Sequence, residues 1–251
     1  MGSQAKQRVV LVAHDTMGRD DRASQFLLRR GYEVEWYYPA EGESLPAADE
    51  RYVATIVYGG VESVNDWTTL GYLKDEIDWI ARWLDSGRPF VGFCLGGQLL
   101  AHALGARVEP HAEGLHEWGF YAVQPTAAGR EIFDGPMHLY QAHKEGFDVP
   151  TDAVLLAEGD NYPHQAFRHG DKSFGFQFHP EVTLPIMHRW LDSYMDHDKS
   201  PGIHSRARQV DDFARYGEPM GQWLERFLDL WLSDGDAAKQ EQPKQVSGHK
   251  A

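Results

Sequence analysis

Residues 89 to 101 read Pro-Phe-Val-Gly-Phe-Cys-Leu-Gly-Gly-Gln-Leu-Leu-Ala. The apolar run before Cys94 predicts a buried β-strand, and the run rich in Leu and Ala after it predicts a helix. Between them lies a tight Gly-x-Cys-x-Gly turn, in which the glycines remove side chains that would clash. This order of strand, turn and helix is that of a nucleophile elbow, with sulfur in place of a serine hydroxyl.

Cys94 is the only cysteine among the 251 residues. The elbow places its sulfur at a helix N-terminus, where unpaired N–H groups and the helix dipole favour the reactive thiolate. A lone cysteine is also compatible with a small buried apolar residue. The flanking glycines favour the nucleophile, because core packing does not require glycine on both sides of a cysteine.

A second segment supplies a matching base. Residues 174–181 read Phe-Gly-Phe-Gln-Phe-His-Pro-Glu, an aromatic-rich strand that ends in a histidine and a glutamate. Residues two apart in an extended chain point to the same side, so His179 and Glu181 are predicted to face each other across the stiff Pro180. Glu181 would then hold the His179 tautomer and stabilise the imidazolium. Alone, the pattern also fits an ordinary salt bridge; beside the cysteine elbow it favours a catalytic group.

Strands and helices alternate in the first half of the chain. Strands are predicted at residues 8–13, 33–38, 52–58 and 90–93, and helices at 20–30, 73–85 and 95–104. This alternation predicts an α/β fold with a mostly parallel central sheet covered by helices on both faces. Active sites in such sheets lie beyond the carboxyl ends of the strands, where the pair Gly59-Gly60 and Cys94 both fall.

The second half has a different pattern. Strands at residues 118–123, 137–142, 153–157, 164–168 and 173–178 predict a small additional β region, followed by helices at 184–196 and 220–232 with a loop at 198–205. We interpret residues 1–233 as one domain. Residues 234–251 are polar and are predicted to form a disordered tail.

The amino-acid composition argues against several classes of partner and ligand. The net charge of −14 argues against nucleic acid, because phosphate binding needs a concentrated basic surface. No apolar run approaches the roughly 20 residues of a membrane span. A single cysteine cannot form an internal disulfide, which favours a reducing, cytoplasmic compartment. His111, His116 and Glu117 lack the spacing of a zinc site, so no metal is expected.

These motifs resemble those of the class I, triad-type glutamine amidotransferases. The elbow, the segment Phe-His-Pro-Glu-Val and a Gly-Gly loop at residues 59–60 occur in the family's order, and the resemblance spans residues 8–195. It implies a flavodoxin-like fold with Cys94 as nucleophile, His179 as base and Glu181 as the group that orients it. It also implies an oxyanion hole built from the backbone N–H groups of Gly60 and Leu95.

The resemblance extends to substrate binding. It implies that Gln98 lies near the substrate amide and that His143 lies near the α-amino and α-carboxylate groups. An exposed loop histidine is the alternative for His143. Gly97 and Val61 stand where many members have histidine and proline. The pattern is closest to a stand-alone branch that includes γ-glutamyl peptidases and γ-glutamylamide hydrolases.

The implied activity is hydrolysis of the side-chain amide of glutamine or of a γ-glutamyl compound through a γ-glutamyl thioester, without a metal or organic cofactor. The chain has no Gly-x-x-x-x-Gly-Lys-Ser/Thr motif and no room for an ATP-dependent synthetase domain. Either the released ammonia goes to a synthetase partner chain, or the protein acts alone as a hydrolase or γ-glutamyl transferase. A non-catalytic regulatory module on the same fold is a further alternative, which the complete triad disfavours. The order of elbow and His-Pro-Glu disfavours a papain-like protease.

Overall fold

The computed structural model describes residues 6–15, 19–194 and 200–237. Eleven strands lie in these ranges: β1 (Arg8–Val12), β2 (Glu33–Tyr37), β3 (Tyr52–Val57), β4 (Phe90–Phe93), β5 (Val108–Pro110), β6 (Glu117–Pro125), β7 (Met137–His143), β8 (Glu145–Phe147), β9 (Ala153–Gly159), β10 (Ala166–His169) and β11 (Ser173–Phe176). The helices are α1 (Arg22–Arg29), α2 (Gly71–Asp85), α3 (Leu95–Ala103), α4 (Leu184–Ser193) and α5 (Arg206–Ala237).

Nine of these strands form one sheet in the order β2-β1-β3-β4-β11-β10-β9-β6-β7. The neighbours from β2 to β11 pair in parallel, and the remaining strands extend the sheet with antiparallel pairs. Strands β5 and β8 form a separate two-stranded sheet. The predicted α/β class is confirmed, and most of the predicted additional β region continues the central sheet.

Strand β1 is buried on both faces. Val9 and Leu11 belong to the core beneath α1, α4 and α5, whereas Val10 and Val12 belong to the core beneath α2 and α3. Side chains alternate across a strand, so four consecutive apolar residues supply both layers. Helices on both faces are therefore a direct consequence of the apolar strand.

Local sequence sets the ends of α1. The Asp21 carboxylate accepts a hydrogen bond from the Ser24 N–H at 2.9 Å, which caps the first turn. After the last turn the chain reaches Gly31 with φ of 87°, a conformation that glycine adopts at little cost. The predicted helix at residues 20–30 is thus shortened at both ends by its caps.

Helix α5 begins at residue 206, well before the predicted start at 220. Gly217 and Pro219 disfavour a helix in the sequence. The structure keeps both inside α5 because its first half packs on the sheet, where the rings of Phe213 and Tyr216 lie 5.9 and 5.8 Å from that of Phe120. The helix runs to residue 237, past the predicted domain end at 233; the rest of the predicted tail and the predicted end of the helix at 184–196 lie outside the described residues.

The parallel strands place four polar segments at one edge of the sheet. His14 follows β1, Gly59 and Gly60 follow β3, Cys94 follows β4 and His179 follows β11. Because β1, β3, β4 and β11 are successive parallel neighbours, their carboxyl ends meet. Gly60 and Cys94 line the cavity described below, and His14 and His179 pack against the Gly59-Gly60 loop.

Candidate active site

Cys94 lies in a strained turn between β4 and α3. It is the one non-glycine residue with a positive φ in the described part of the chain, with φ of 48° and ψ of −110°. A side chain on Gly96 would place its Cβ 2.1 Å from the Val57 carbonyl oxygen, and one on Gly92 would place it 2.3 Å from the Gly96 backbone. The two motif glycines therefore allow the close packing that the turn requires. Strain of this kind persists only where the surrounding structure enforces it, and it is typical of functional sites.

His179 and Glu181 form a buried pair just beyond β11. The Nδ1 atom of His179 lies 2.8 Å from Oε1 of Glu181, and both residues are 3% exposed. The backbone N–H of His179 donates to the Tyr140 carbonyl at 2.8 Å. The imidazole packs edge-on against the Trp190 ring, with the ring centroids 4.9 Å apart. Backbone and ring contacts together fix the direction of the imidazole, as the spacing of the two residues predicted.

Gly59 lies between His179 and Cys94 and shows how close they are. A Cβ at Gly59 would lie 2.5 Å from Cε1 of His179 and 3.4 Å from Cβ of Cys94. Burial lowers the pKa of His179, but the charges of Glu181 and Cys94 and hydrogen bonds to both raise it above its usual range. The structure thus brings Cys94, His179 and Glu181 together, with the imidazole between sulfur and carboxylate.

Two backbone amides lie near the sulfur. Leu95 is the first residue of α3, so the helix supplies no acceptor for its N–H. Gly60 lies against Leu95, because a Cβ at Gly60 would come 2.7 Å from Cδ2 of Leu95. Among the described residues, none accepts a hydrogen bond from the Gly60 N–H. The two residues predicted to supply the oxyanion donors are therefore in contact, and Gly60 lines the same cavity as Cys94.

A cavity of about 200 Å³ opens onto Cys94. Its lining combines the loop after β3 with the ends of β6 and β7 and with Gln98: Gly60, Val61, Glu62, Cys94, Gln98, His116, Trp118, Ala142, His143, Lys144, Glu145 and Tyr194. Such a volume is smaller than the roughly 300–1,000 Å³ of pockets for drug-sized ligands. An amino-acid-sized compound matches it better.

Gln98 and His143 both line this cavity and are already engaged by the protein. The Gln98 amide nitrogen donates to the Glu145 carbonyl at 2.9 Å and to the Gln177 side chain at 3.3 Å. Nδ1 of His143 lies 2.9 Å from the Glu145 carbonyl oxygen, and its Nε2 lies 3.1 Å from the Glu117 carboxylate. The alternative of an exposed loop histidine at 143 is wrong, because the residue is buried at the end of β7.

The buried Glu117 carboxylate is hydrogen-bonded by other side chains of the protein. Its carboxylate accepts hydrogen bonds from the side chains of His143, Asn161 and Gln165, each at 3.1 Å.

Within residues 6–15, 19–194 and 200–237, no cluster of three or more His, Cys, Asp or Glu side chains could hold a metal ion. In the same ranges, no helix is both long and apolar enough to cross a membrane.

A second buried pair, His14 with Glu76, was missed by the sequence reasoning. His14 donates from Nδ1 to the Gly59 carbonyl and from Nε2 to the Glu76 carboxylate, both at 3.1 Å. Burial lowers the pKa of His14, but the Glu76 charge and hydrogen bonds to Glu76 and Gly59 raise it to about 9. The one available signal was the position of His14 immediately after a buried strand, because its partner lies 62 residues away.

Comparisons with known proteins identify the family of this chain. The chain matches the model of the class-I glutamine amidotransferases over residues 22–192 and belongs to that family. A glutamine amidotransferase-like protein of Salmonella typhimurium, YfeJ, is 29% identical over 235 residues, which cover 88% of this chain and 96% of YfeJ. Family membership supports hydrolysis or transfer of the glutamine amide as the general chemistry.

Two further relatives differ in how much they share. The crystal structure of a glutamine amidotransferase from Thermotoga maritima matches with a TM-score of 0.80 at 26% identity, over 91% of this chain and 99% of that one. A glutamine-hydrolysing GMP synthase of Aliivibrio salmonicida is 36% identical over 103 residues, which are 39% of this chain and 20% of that enzyme. The chain therefore spans about a fifth of the synthase and nearly all of the shorter relatives.

Proposed function

We propose that this protein cleaves the side-chain amide of glutamine or of a γ-glutamyl compound through a γ-glutamyl thioester on Cys94. The observation that carries the proposal is the meeting of three groups at one edge of the sheet. A strained elbow presents the Cys94 sulfur, the buried pair of His179 and Glu181 lies beside it, and Gly60, which packs against Leu95, lines the same cavity as Cys94.

The chemistry proceeds in two halves. His179 takes the proton of Cys94, and the sulfur attacks the side-chain carbonyl carbon, so that the electron pair of the C=O bond moves to oxygen. When the tetrahedral intermediate collapses, the C–N bond breaks and the His179 proton passes to the leaving nitrogen. Water then attacks the thioester, gives a proton to His179 and releases glutamate as the C–S bond breaks.

Each neighbouring group has a defined role in this scheme. Glu181 holds the His179 ring through Nδ1, which leaves Nε2 for Cys94 and the leaving amine. The N–H groups of Gly60 and Leu95 would stabilise the oxyanion, and loss of one such donor typically costs about 3 kcal/mol in barrier. Every step uses protein side chains and water, so the scheme requires no metal or organic cofactor.

We assign Gln98 to the neighbourhood of the substrate amide and the segment around His143 to the substrate end remote from the reaction. Both ring nitrogens of His143 are taken up by protein acceptors, so we infer that its backbone, more than its ring, faces the substrate. Binding of the α-amino and α-carboxylate groups there would position the carbonyl against the sulfur. Simple amides that lack these groups are then poor substrates.

The fate of the ammonia defines two versions of the proposal. YfeJ matches over nearly its whole length, which supports a protein that acts alone as a hydrolase or γ-glutamyl transferase. The match to part of a GMP synthase supports a synthetase as partner chain. A pull-down for a co-purifying synthetase distinguishes the two. The single cysteine, free in the structure, fits the reducing cytoplasm that we propose as its compartment.

A labelling and turnover experiment tests the proposal. Wild-type protein is expected to hydrolyse glutamine or a γ-glutamylamide and to be modified stoichiometrically at Cys94 by the glutamine-like electrophile diazo-oxo-norleucine. Cys94→Ala and Cys94→Ser, with unchanged Tm, should lose both properties. An accessible Cys94 that stays unlabelled would instead favour a non-catalytic binding module, and near-full activity of Cys94→Ala would refute the mechanism.

Substrate choice provides an independent check. Glutamine, a γ-glutamylalkylamide, glutathione and asparagine are compared by kcat/KM. Asparagine should fall by about 100-fold or more, because its shorter side chain cannot place both ends correctly and misplacement by about 1 Å costs that much. Equal turnover of asparagine and glutamine would rule out the γ-glutamyl pocket.

A further inference from the structure

His14 contacts the loop that carries a proposed oxyanion donor, although it lies outside the cavity at Cys94. Its Nδ1 donates to the Gly59 carbonyl at 3.1 Å, and its Nε2 donates to the Glu76 carboxylate at 3.1 Å. The side chains of His14 and Glu76 are 1% and 0% exposed. Both ring nitrogens thus bear protons that are given to acceptors, so this imidazole has no nitrogen left for proton transfer with substrate.

The contact with Gly59 reaches the next residue through the peptide bond. The Gly59 carbonyl and the Gly60 N–H belong to one planar peptide unit, and in a trans peptide they point in opposite directions. No cis peptide occurs in the described residues. When His14 holds the carbonyl, it also sets the direction of the Gly60 N–H, away from His14. Gly60 lines the cavity that opens onto Cys94.

Gly60 itself packs closely against neighbouring side chains. A Cβ at Gly60 would lie 2.9 Å from Cβ of His14 and 2.7 Å from both Oε2 of Glu62 and Cδ2 of Leu95. Gly60 is therefore enclosed between the histidine on one side and the start of α3 on the other. A hydrogen bond to the carbonyl also polarises the peptide unit, which makes its N–H a stronger donor.

We propose that His14, held in place by Glu76, is a positioning residue that orients the Gly59–Gly60 peptide so that the Gly60 N–H points at the oxyanion of the reaction. This inference rests on the proposed function and deepens it. His14 acts through Gly60 and does not touch the substrate. Glu76 fixes the ring from the far side, across the interface between β1 and α2.

Two variants of His14 separate its positioning role from its packing role. Both are made in a Glu76→Gln background, so that neither leaves a buried carboxylate without a partner. His14→Asn keeps an amide N–H near the place of Nδ1 and retains the bond to the Gly59 carbonyl. His14→Leu has a similar size and no donor. We expect kcat for glutamine or the best γ-glutamylamide to fall about 10- to 100-fold in the leucine variant with KM changed less than threefold, and the asparagine variant to recover most of that loss.

A matched control is His138→Asn, which replaces a histidine packed flat on Tyr216 at 4.3 Å, at the opposite end of β7 from His143. It should keep kcat within about twofold, since effects of distant independent sites do not couple. Equal kcat in the asparagine and leucine variants would overturn the proposal, as would a loss confined to KM or to Tm. In either case the role of His14 is structural.

A second readout does not depend on turnover. The amide resonances of Gly59 and Gly60 and their hydrogen exchange are followed by NMR in the same variants. The leucine variant should shift both signals and change the exchange rate of the Gly60 amide, and the asparagine variant should resemble the Glu76→Gln parent. Unchanged Gly60 signals in the leucine variant overturn the positioning role. If wild-type protein turns over no γ-glutamyl compound, the proposed function fails, while these signals still decide whether His14 orients the peptide.

Discussion

Two buried histidine–carboxylate pairs lie on either side of Gly59. They differ in how many ring nitrogens of the histidine are bound to the carboxylate and the backbone. In the pair of His179 and Glu181 the carboxylate occupies Nδ1 alone, and the other side of the ring faces Cys94. In the pair of His14 and Glu76 both nitrogens donate to protein acceptors. The same two residue types therefore suit different tasks. A ring with one open nitrogen can transfer a proton, whereas a ring with none can only hold its neighbours in place.

The largest expected effect is a difference in kcat between variants of His179 and variants of His14. His179→Asn removes the open nitrogen, and kcat should fall by about ten-thousandfold because no other group can move the proton. His14→Asn in the Glu76→Gln background should stay within roughly tenfold of wild type, since it preserves the bond to the Gly59 carbonyl. Steady-state kinetics on both variants is the measurement. Comparable losses would mean that the two pairs do not have different tasks.

Substitution of the two carboxylates should lower kcat in the same order as substitution of their histidines, with a smaller difference between the two variants. Glu181→Gln still orients the ring but no longer stabilises the imidazolium, so kcat should fall about 100- to 1,000-fold, less than for His179→Asn. Glu76→Gln should cost no more than about tenfold, because its imidazole takes no part in proton transfer. A larger loss from Glu76→Gln than from Glu181→Gln would reverse the assignment of catalytic and positioning pairs.

Gly59 touches both pairs, so a methyl group there tests how precisely they are placed. In Gly59→Ala the new Cβ would lie 2.5 Å from Cε1 of His179, and the ring must move. A displacement of about 1 Å typically costs about 100-fold in rate, which is the loss in kcat that we expect. Gly71→Ala, whose Cβ meets nothing within 4 Å, is the control and should keep full activity. Full activity of Gly59→Ala would contradict the close approach.

The smallest expected effect concerns stability and pH. Glu76 on α2 and Glu62 on the loop after β3 face His14; against the lowering effect of burial, they raise its pKa from 6.5 to about 9. The folded state therefore binds an extra proton between these values. This contribution is fully present below about pH 6.5, is lost as the pH rises through about 9, and corresponds to at most about 3 kcal/mol.

The measurement is the free energy of unfolding of wild type and of the His14→Asn, Glu76→Gln double variant at pH 6 and above pH 9. The stability advantage of wild type over the variant should shrink at the higher pH. Using the difference between the two proteins cancels the contribution of His179, which titrates in both. An advantage that is constant with pH would mean that His14 carries no extra proton in the folded state.

The sequence predicted the parts of this site that depend on neighbouring residues. The elbow follows from glycines two residues on either side of Cys94, where larger side chains cannot fit. The facing of His179 and Glu181 follows from the alternation of an extended chain, and the structure confirms it with a distance of 2.8 Å. The roles of these residues as nucleophile, base and orienting group stay predictions, as does the disordered tail beyond residue 237.

Other features could not be found from local patterns. The first half of α5 was missed because Gly217 and Pro219 oppose a helix locally, while packing on β6 and β7 supports it. His143 was placed near the substrate, but its pairing with Glu117, 26 residues away, had no signal in the chain. Such contacts form between strands that are neighbours in the sheet and distant in sequence.

The sequence by itself thus determined the chemistry available to this protein: one cysteine in an elbow, a histidine and a glutamate two residues apart, and alternating strands and helices that belong to the class I glutamine amidotransferases. Tertiary structure alone decided which groups meet. The strand order brings the ends of β1, β3, β4 and β11 to one edge, so His14 reaches the loop at Gly59 and finds Glu76 on α2. The physical reason is range: backbone stereochemistry fixes the direction of residues a few positions apart, whereas contacts across tens of residues depend on how the whole core packs.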